Sequence, residues 1–272
     1  MSNFVTMDFR DKTIVVTGAS SGIGLALVRA FASRGANVVL AARSKEKLDA
    51  VARELPSALA VECDVACEAD CRHLIEAAVA RFGGIDVLVN NAGLSMRAVL
   101  DDVSLDVLHR LMDVNFWGTV YSTKFALPYI QQSKGTIVGI SSVAGFHGLP
   151  GRTGYSASKF AMQGFLETVR VENLRKGVKV MIVAPGFTAS NVRFSALTAD
   201  GSAQGASPRK EEKMMSAEKV ASLVVSGVAR GRREMLLDFD GRATVWLRLL
   251  APRWLDKQYY KHMAHEPDSP LI

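Results

Sequence analysis

An α/β fold, a doubly wound and mostly parallel sheet of about seven strands, is what this sequence predicts on three observations. Short apolar runs alternate with helical runs along the whole chain, the pattern of strands whose crossovers cover both faces of one sheet. A chain of 272 residues with 49% hydrophobic content can fill one large core and does not need two. The residues able to do chemistry cluster at the carboxyl ends of the apolar runs, where open parallel sheets gather ligands.

The first strand is read at Thr13 to Val16, followed by TGASSGIG at Thr17 to Gly24 and a helix from Ile23 to Ser33. Gly18 permits a sharp turn, Gly22 lets backbone approach phosphate oxygens, and Gly24 lets the helix pack close to the strand. Ser20 and Ser21 add hydroxyl donors, and the unpaired N–H groups around Ile23 face an anion. The second strand, Asn37 to Ala41, ends in Ala42-Arg43, where a free ribose 2′-hydroxyl would usually meet a carboxylate. Arg43 offers a planar fork suited to a phosphate dianion, so the expected cofactor is NADP(H). Lys45 and Lys47 make the region generically basic as well. The third strand, Leu59 to Cys63, ends before Asp64, which accepts from an adenine amino group or caps the next helix. The fourth, Val87 to Val89, runs into Asn90-Asn91-Ala92-Gly93. Small and amide residues there, Asn91, Ala92 and Gly93, let backbone lie against a cofactor.

Further along, Tyr155 and Lys159 stand four residues apart in GYSASKFA, thirteen residues past Ser142. That spacing puts both on one face of a helix, where an ammonium near a phenol favours its ionised form. Such a phenol is a proton donor drawn toward neutral pH. Ser142 follows the strand Thr136 to Ile140 and can hydrogen-bond a carbonyl oxygen as charge develops on it, with Ser141 as its competitor. Asn115, in MDVNF, lies inside a helical pattern that does not favour asparagine, and a bond to a neighbouring helix would also explain it. The sixth strand, Val180 to Ala184, ends in Pro185-Gly186 with Thr188 just beyond, and the last strand is read at Met235 to Leu237.

Thr17 to Gly24, Asn90 to Gly93, Asn115, Ser142, Tyr155, Lys159 and Pro185-Gly186, found in that order, resemble the motifs of the short-chain dehydrogenase/reductase family over roughly residues 10 to 238. The resemblance implies a Rossmann fold and a reaction in which hydride passes between nicotinamide and a carbonyl or hydroxyl carbon. It gives Tyr155 the role of proton donor or base and has Lys159 hold the nicotinamide ribose and supply field to the phenol. Ser142 polarises the oxygen, and Asn115, through a backbone kink and a held water, supports a proton relay. Thr188 bonds the carboxamide beside Pro185 and Gly186. A homodimer or homotetramer through the helices carrying Asn115 and Tyr155 is implied too. A same-fold epimerase or dehydratase, or a dinucleotide-binding sensor without turnover, remains the alternative.

Residues 1–238 are expected to form the catalytic domain, including a mobile substrate loop at 186–216 that carries Phe187, Phe194 and Leu197 with several glycines and serines. Residues 239–272 extend beyond it. A helix is expected over Thr244 to Leu250, broken at Pro252, with a second through Trp254, Leu255, Tyr259 and Tyr260. Arg242, Arg248, Arg253, Lys257 and Lys261 punctuate this tail. It packs on its own domain or a sister subunit, covers an apolar substrate as a lid, or makes a peripheral membrane contact through 242–262. The expected substrate is an apolar small molecule: an acyl, sterol or other lipid-like ketone. Neither His147 nor Arg193 identifies it.

Met1 to Arg10 has no apolar core behind a basic start and does not read as a secretory signal. No run is long enough to span a membrane. Cys63, Cys67 and Cys71 are an odd set, which suggests a reducing cytoplasm with buried or incidental thiols, no disulfide framework and no metal. The formal charge of +6 suits a phosphorylated cofactor or anionic lipid, and nucleic acid is not an expected partner because no basic stripe or binding motif accompanies it.

Overall fold

The computed structural model describes residues 6–186, 188, 192–205 and 214–271. Seven strands, β1 (Thr13–Thr17), β2 (Asn37–Ala42), β3 (Ala58–Glu62), β4 (Val87–Asn90), β5 (Thr136–Ile140), β6 (Lys179–Ala184) and β7 (Glu234–Leu236), form one sheet in the order β3-β2-β1-β4-β5-β6-β7. Every neighbouring pair is parallel. The chain winds outward from β1 to β3 and then returns to β4, so the order reverses between β1 and β4. A crevice opens at such a switch point.

The helices are α1 (Gly22–Ala32), α2 (Lys45–Arg53), α3 (Glu68–Phe82), α4 (Leu105–Met112), α5 (Gly118–Ser133), α6 (Thr153–Glu172), α7 (Ala217–Ala229), α8 (Phe239–Leu250) and α9 (Pro252–Ala264). Successive strand residues point to opposite faces, which divides the core in two. Ile14, Val16, Val38 and Leu40 meet Leu27 and Phe31 of α1 and Val220 and Val224 of α7. Val15, Val39, Leu88 and Ile137 meet Leu74 of α3, Ile130 of α5 and Leu166 of α6. Strands buried on both faces are why the sequence shows continuous apolar runs.

The expected strands all appear, with ends displaced by about one residue. Cys63 falls just past β3, though its N–H still bonds the Ala42 carbonyl at 3.0 Å. Buried Cys63 and Cys71 hydrogen-bond each other while Cys67 is exposed. Among the described residues no group of three or more histidines, cysteines or carboxylates is placed to hold a metal ion, and no helix is long and apolar enough to cross a membrane.

Asn115 lies in a helical stretch with the irregular backbone that the resemblance implies: Asp113–Trp117 form a π-helical turn between α4 and α5, where the wider turn redirects the side chains. One local expectation needs correction. The tail helix begins at Phe239 and not at Thr244, because the Asp238 carboxylate accepts from the Gly241 N–H at 2.9 Å and caps it there. In the segment expected as a substrate loop, Leu197 bonds back to the chain beyond β4: its N–H donates to the Ser95 carbonyl at 2.9 Å, and its carbonyl accepts from the Arg97 N–H at 2.8 Å. Phe187 and residues 206–213 of that loop lie outside the described residues.

Candidate active site

A cleft of about 500 Å³ runs along the carboxyl ends of the strands, bordered by Gly18, Ser20 to Gly24, Arg43, Asp64, Asn91 to Gly93, Ser142, Tyr155, Lys159, Pro185, Gly186 and Thr188. At one end, Gly18 (φ +66°) and Gly22 (φ +53°) adopt left-handed backbone that side chains disfavour. A Cβ on Gly24 would lie 2.2 Å from the Gly18 carbonyl oxygen. Asn91 braces this turn, its Nδ2 donating to the Thr17 carbonyl at 2.8 Å and the Gly18 carbonyl at 3.2 Å. Ser21 stands at the N-cap of α1 without a side-chain capping bond, so the first-turn N–H groups are left for an anion. Backbone that comes this close, an uncapped helix and flanking Arg43 and Lys47 fit a dinucleotide's phosphates. Asp64 does not cap α3, whose N-cap is Cys67. Its carboxylate accepts from the Ala66 N–H at 3.1 Å within a tight turn beside the cleft.

At the other end, α6 carries Tyr155 and Lys159 on one face, with the Lys159 Nζ 5.9 Å from the Tyr155 ring centre. Lys159 is 4% exposed and donates to the Ile140 carbonyl at 2.9 Å. Burial alone draws its pKa down to about 8. Tyr155 moves the opposite way from the expectation for a neighbouring ammonium: burial raises its pKa, while a hydrogen bond from Ser142 and the charge of Arg152 lower it less. The amine is turned to a carbonyl, and desolvation dominates at the phenol. The two neighbouring serines are told apart by their partners. Ser141 accepts from Gln163 Nε2 at 2.6 Å, whereas Ser142 faces Tyr155.

Asn115 is fully buried behind this wall and does not border the cleft. Its Nδ2 donates to the Leu94 carbonyl (2.9 Å) and to Ser158 Oγ (2.8 Å), and its Oδ1 accepts from the Leu94 N–H (2.8 Å). Asn115 thus ties the chain beyond β4 to α6. A Cβ on Gly93 would lie 3.1 Å from Asn115 Oδ1 and 3.4 Å from Lys159 Nζ, so asparagine, glycine and lysine meet. Thr188 Oγ1 donates to the Gly186 carbonyl at 3.2 Å. Buried Arg193, a cleft residue, donates to the Thr188 carbonyl at 2.7 Å.

Two residues at the site, Arg152 and Asp238, are not among the sequence candidates. Arg152 borders the cleft, donates to the Met96 carbonyl and acts on the Tyr155 phenol one turn away; its position three residues before the tyrosine was the available signal. Asp238 packs against the cleft floor so closely that a Cβ on Gly186 would sit 1.6 Å from its Oδ2. His147, which the sequence leaves as a loop histidine that identifies no substrate, is buried against α9, its ring 4.9 Å from that of Tyr259.

From Asp238 the tail passes Val143 and Phe146, where Arg248 donates to the Phe146 carbonyl. It ends with Arg97 donating to the Pro267 carbonyl at 2.6 Å. The inner side of the tail therefore packs on its own domain. Its outer side exposes Phe239, Trp246, Leu249, Leu250, Trp254 and Tyr260.

The family model of short chain dehydrogenases matches residues 12–200. Dehydrogenase/reductase SDR family member 7B of Mus musculus is 36% identical over 253 residues, covering 89% of this chain and 78% of that protein. 11-beta-hydroxysteroid dehydrogenase A of Sesamum indicum is 35% identical over 276 residues, covering 96% and 79%. A short chain dehydrogenase/reductase from Burkholderia phymatum in complex with NAD superposes with a TM-score of 0.81 at 26% identity, covering 91% of this chain and 96% of that one.

Proposed function

The chain belongs to the short-chain dehydrogenase family of oxidoreductases, and from that premise we propose that it is an NADPH-dependent carbonyl reductase, or the reverse alcohol dehydrogenase, for an apolar substrate. One observation carries the proposal: Ser142, Tyr155 and Lys159 border the same cleft as the glycine turn and Arg43. A bound nicotinamide supplies or accepts the hydride. Ser142 holds the substrate oxygen and Tyr155 delivers the proton to it during reduction. Lys159, still charged just below its lowered pKa, binds ribose hydroxyls and adds field at the phenol once an oxygen ligand draws it from the Ile140 carbonyl. Asn115 holds the chain beyond β4 and α6 in register, which positions Lys159 against Gly93.

Arg43 and Lys47 support the phosphorylated cofactor, since guanidinium and ammonium groups at the end of β2 suit a 2′-phosphate. The apolar substrate is supported by the apolar outer side of α8 and α9 and by the similarity to a protein named for hydroxysteroids. The same face, with Arg242, Arg253, Lys257 and Lys261 along it, makes a peripheral membrane contact. Self-association uses the outer surface of the helices that carry Asn115 and Tyr155, where Trp117, just before α5, and Phe160 of α6 are exposed.

Assays of ketone reduction with NADPH and NADH in parallel, on the native chain and on Tyr155→Phe, test the reading. Turnover is expected to prefer NADPH and to fall by about a thousandfold in the variant, with NADPH still bound. Undiminished turnover in Tyr155→Phe overturns the mechanism, and a preference for NADH overturns the cofactor assignment.

A further inference from the structure

A second groove, of about 640 Å³, lies between α9 and the chain that joins Ser142 to Tyr155. It is bordered by His147, Leu149, Pro150, Thr153, Tyr259 and Tyr260, a volume ample for a small-molecule ligand. Leu149 borders this groove and the catalytic cleft alike. Its N–H donates to Ser156 Oγ at 3.3 Å, which fixes it beside the turn of α6 that presents Tyr155. The groove thus meets the cleft that holds Tyr155 at a shared side chain. It ends at Tyr260, which is 55% exposed beside the outward apolar residues of the tail.

The outer wall is held in place by the tail's own contacts. The Thr244 and Tyr259 hydroxyls are 2.7 Å apart and share a hydrogen bond, tying α8 to α9, and the His147 ring packs on Tyr259. Burial lowers the His147 pKa, with Arg248 adding to it and Asp256 opposing, so the wall is uncharged at this contact near neutral pH. The charged residues at the border, Asp256 and Lys257, lie on α9. Groups in the stretch through Leu149 and Pro150 are apolar, and a polar ligand there would lose water without gaining partners.

We propose that this groove is the distal half of the substrate site, taking the alkyl chain of a ketone or secondary alcohol whose reacting carbon lies at Tyr155. The proposal rests on the reductase reading and narrows its substrate class. A flexible chain passes along Leu149 from one cavity to the other, where a fused ring system would have to displace that side chain. Hydride and proton are added at the carbonyl end, and the far end of the chain rests on Tyr259 and Tyr260.

Gly148 borders the groove, and a Cβ added there meets nothing within 4 Å, so Gly148→Phe projects a ring into the open space. Two quantities are measured in the native chain, in Gly148→Phe and in Tyr260→Glu: the ratio of kcat/KM for dodecan-2-one over butan-2-one with NADPH, and the calorimetric Kd of dodecan-2-one for the NADP-loaded protein. The ratio is expected to fall, and the Kd to rise, by about tenfold or more in both variants. Tyr260→Glu, at an exposed position, keeps the test open if Gly148→Phe fails to fold. A ratio and a Kd unchanged in the folded variants, or a native chain that does not bind dodecan-2-one, overturn the groove. Binding that is lost in the variants while the native chain reduces no ketone keeps the groove and sinks the reductase reading. Reduction of both ketones that the variants leave unaltered does the reverse.

Discussion

Lys159 shows how one side chain can be placed for chemistry at the expense of the fold. Its pKa falls from the ordinary 10.5 to about 8 because burial disfavours the ammonium. A base with a depressed folded pKa contributes its full stability above the unfolded value and loses it as pH drops through the folded one. Between about pH 8 and 10.5, then, the native chain should gain stability with rising pH relative to Lys159→Met, by on the order of 3 kcal/mol. Thermal melting of both cofactor-free proteins across that range measures the difference, and parallel melting curves would refute the burial argument. Tyr155, whose own pKa is raised, titrates in both proteins and cancels. Residues of this kind were legible in the sequence when local spacing carried them. Tyr155 and Lys159 share a helix face at i and i+4. Ser142 is preferred over Ser141 in the sequence only through its motif spacing to Tyr155; the physical distinction, that Ser141 meets Gln163 while Ser142 meets Tyr155, is tertiary.

Elements were legible to the degree that their causes are local. The inner strands, buried on both faces, leave continuous apolar runs, and these appear where expected, as do the less buried edge strands β3 and β7. The irregular backbone at Asp113–Trp117 is legible only through the motif resemblance around Asn115, since its π-helical form leaves no residue type of its own, and the capping of α8 by Asp238 has its local signal in Asp-Phe-Asp-Gly. Contacts across the chain leave no spacing to read, and the docking of the tail consists of them. Its far end is held by Arg97 and Glu266, whose guanidinium and carboxylate are 3.5 Å apart with each side chain 6% exposed. Replacing one member of a buried pair strands the other's charge. Arg97→Met should therefore destabilise the protein by about 3 kcal/mol, and Arg97→Met with Glu266→Leu should recover most of that loss. Chemical denaturation of the native chain, both single variants and the double variant gives the coupling energy, and additive losses would reject it.

At the scale of the whole molecule, one sheet brings the glycine turn, the group of Ser142, Tyr155 and Lys159, and the start of the tail to the same edge. The tail's inner side completes the site, while its outer side turns six large apolar residues toward solvent, more than scattered exposure explains. Basic side chains on these helices add attraction for an anionic surface. Trp246→Glu combined with Leu249→Glu, both at exposed positions, should leave folding intact and reduce co-sedimentation with phosphatidylserine vesicles severalfold. Equal sedimentation with the native chain would dismiss the membrane contact. Asp238 gives the arrangement its last consequence. The carboxylate that nucleates the first tail helix also lies against Gly186 at the border of the cleft, so the two regions share one foundation. A substitution that releases Asp238 should therefore loosen the terminal helices and the floor of the crevice together.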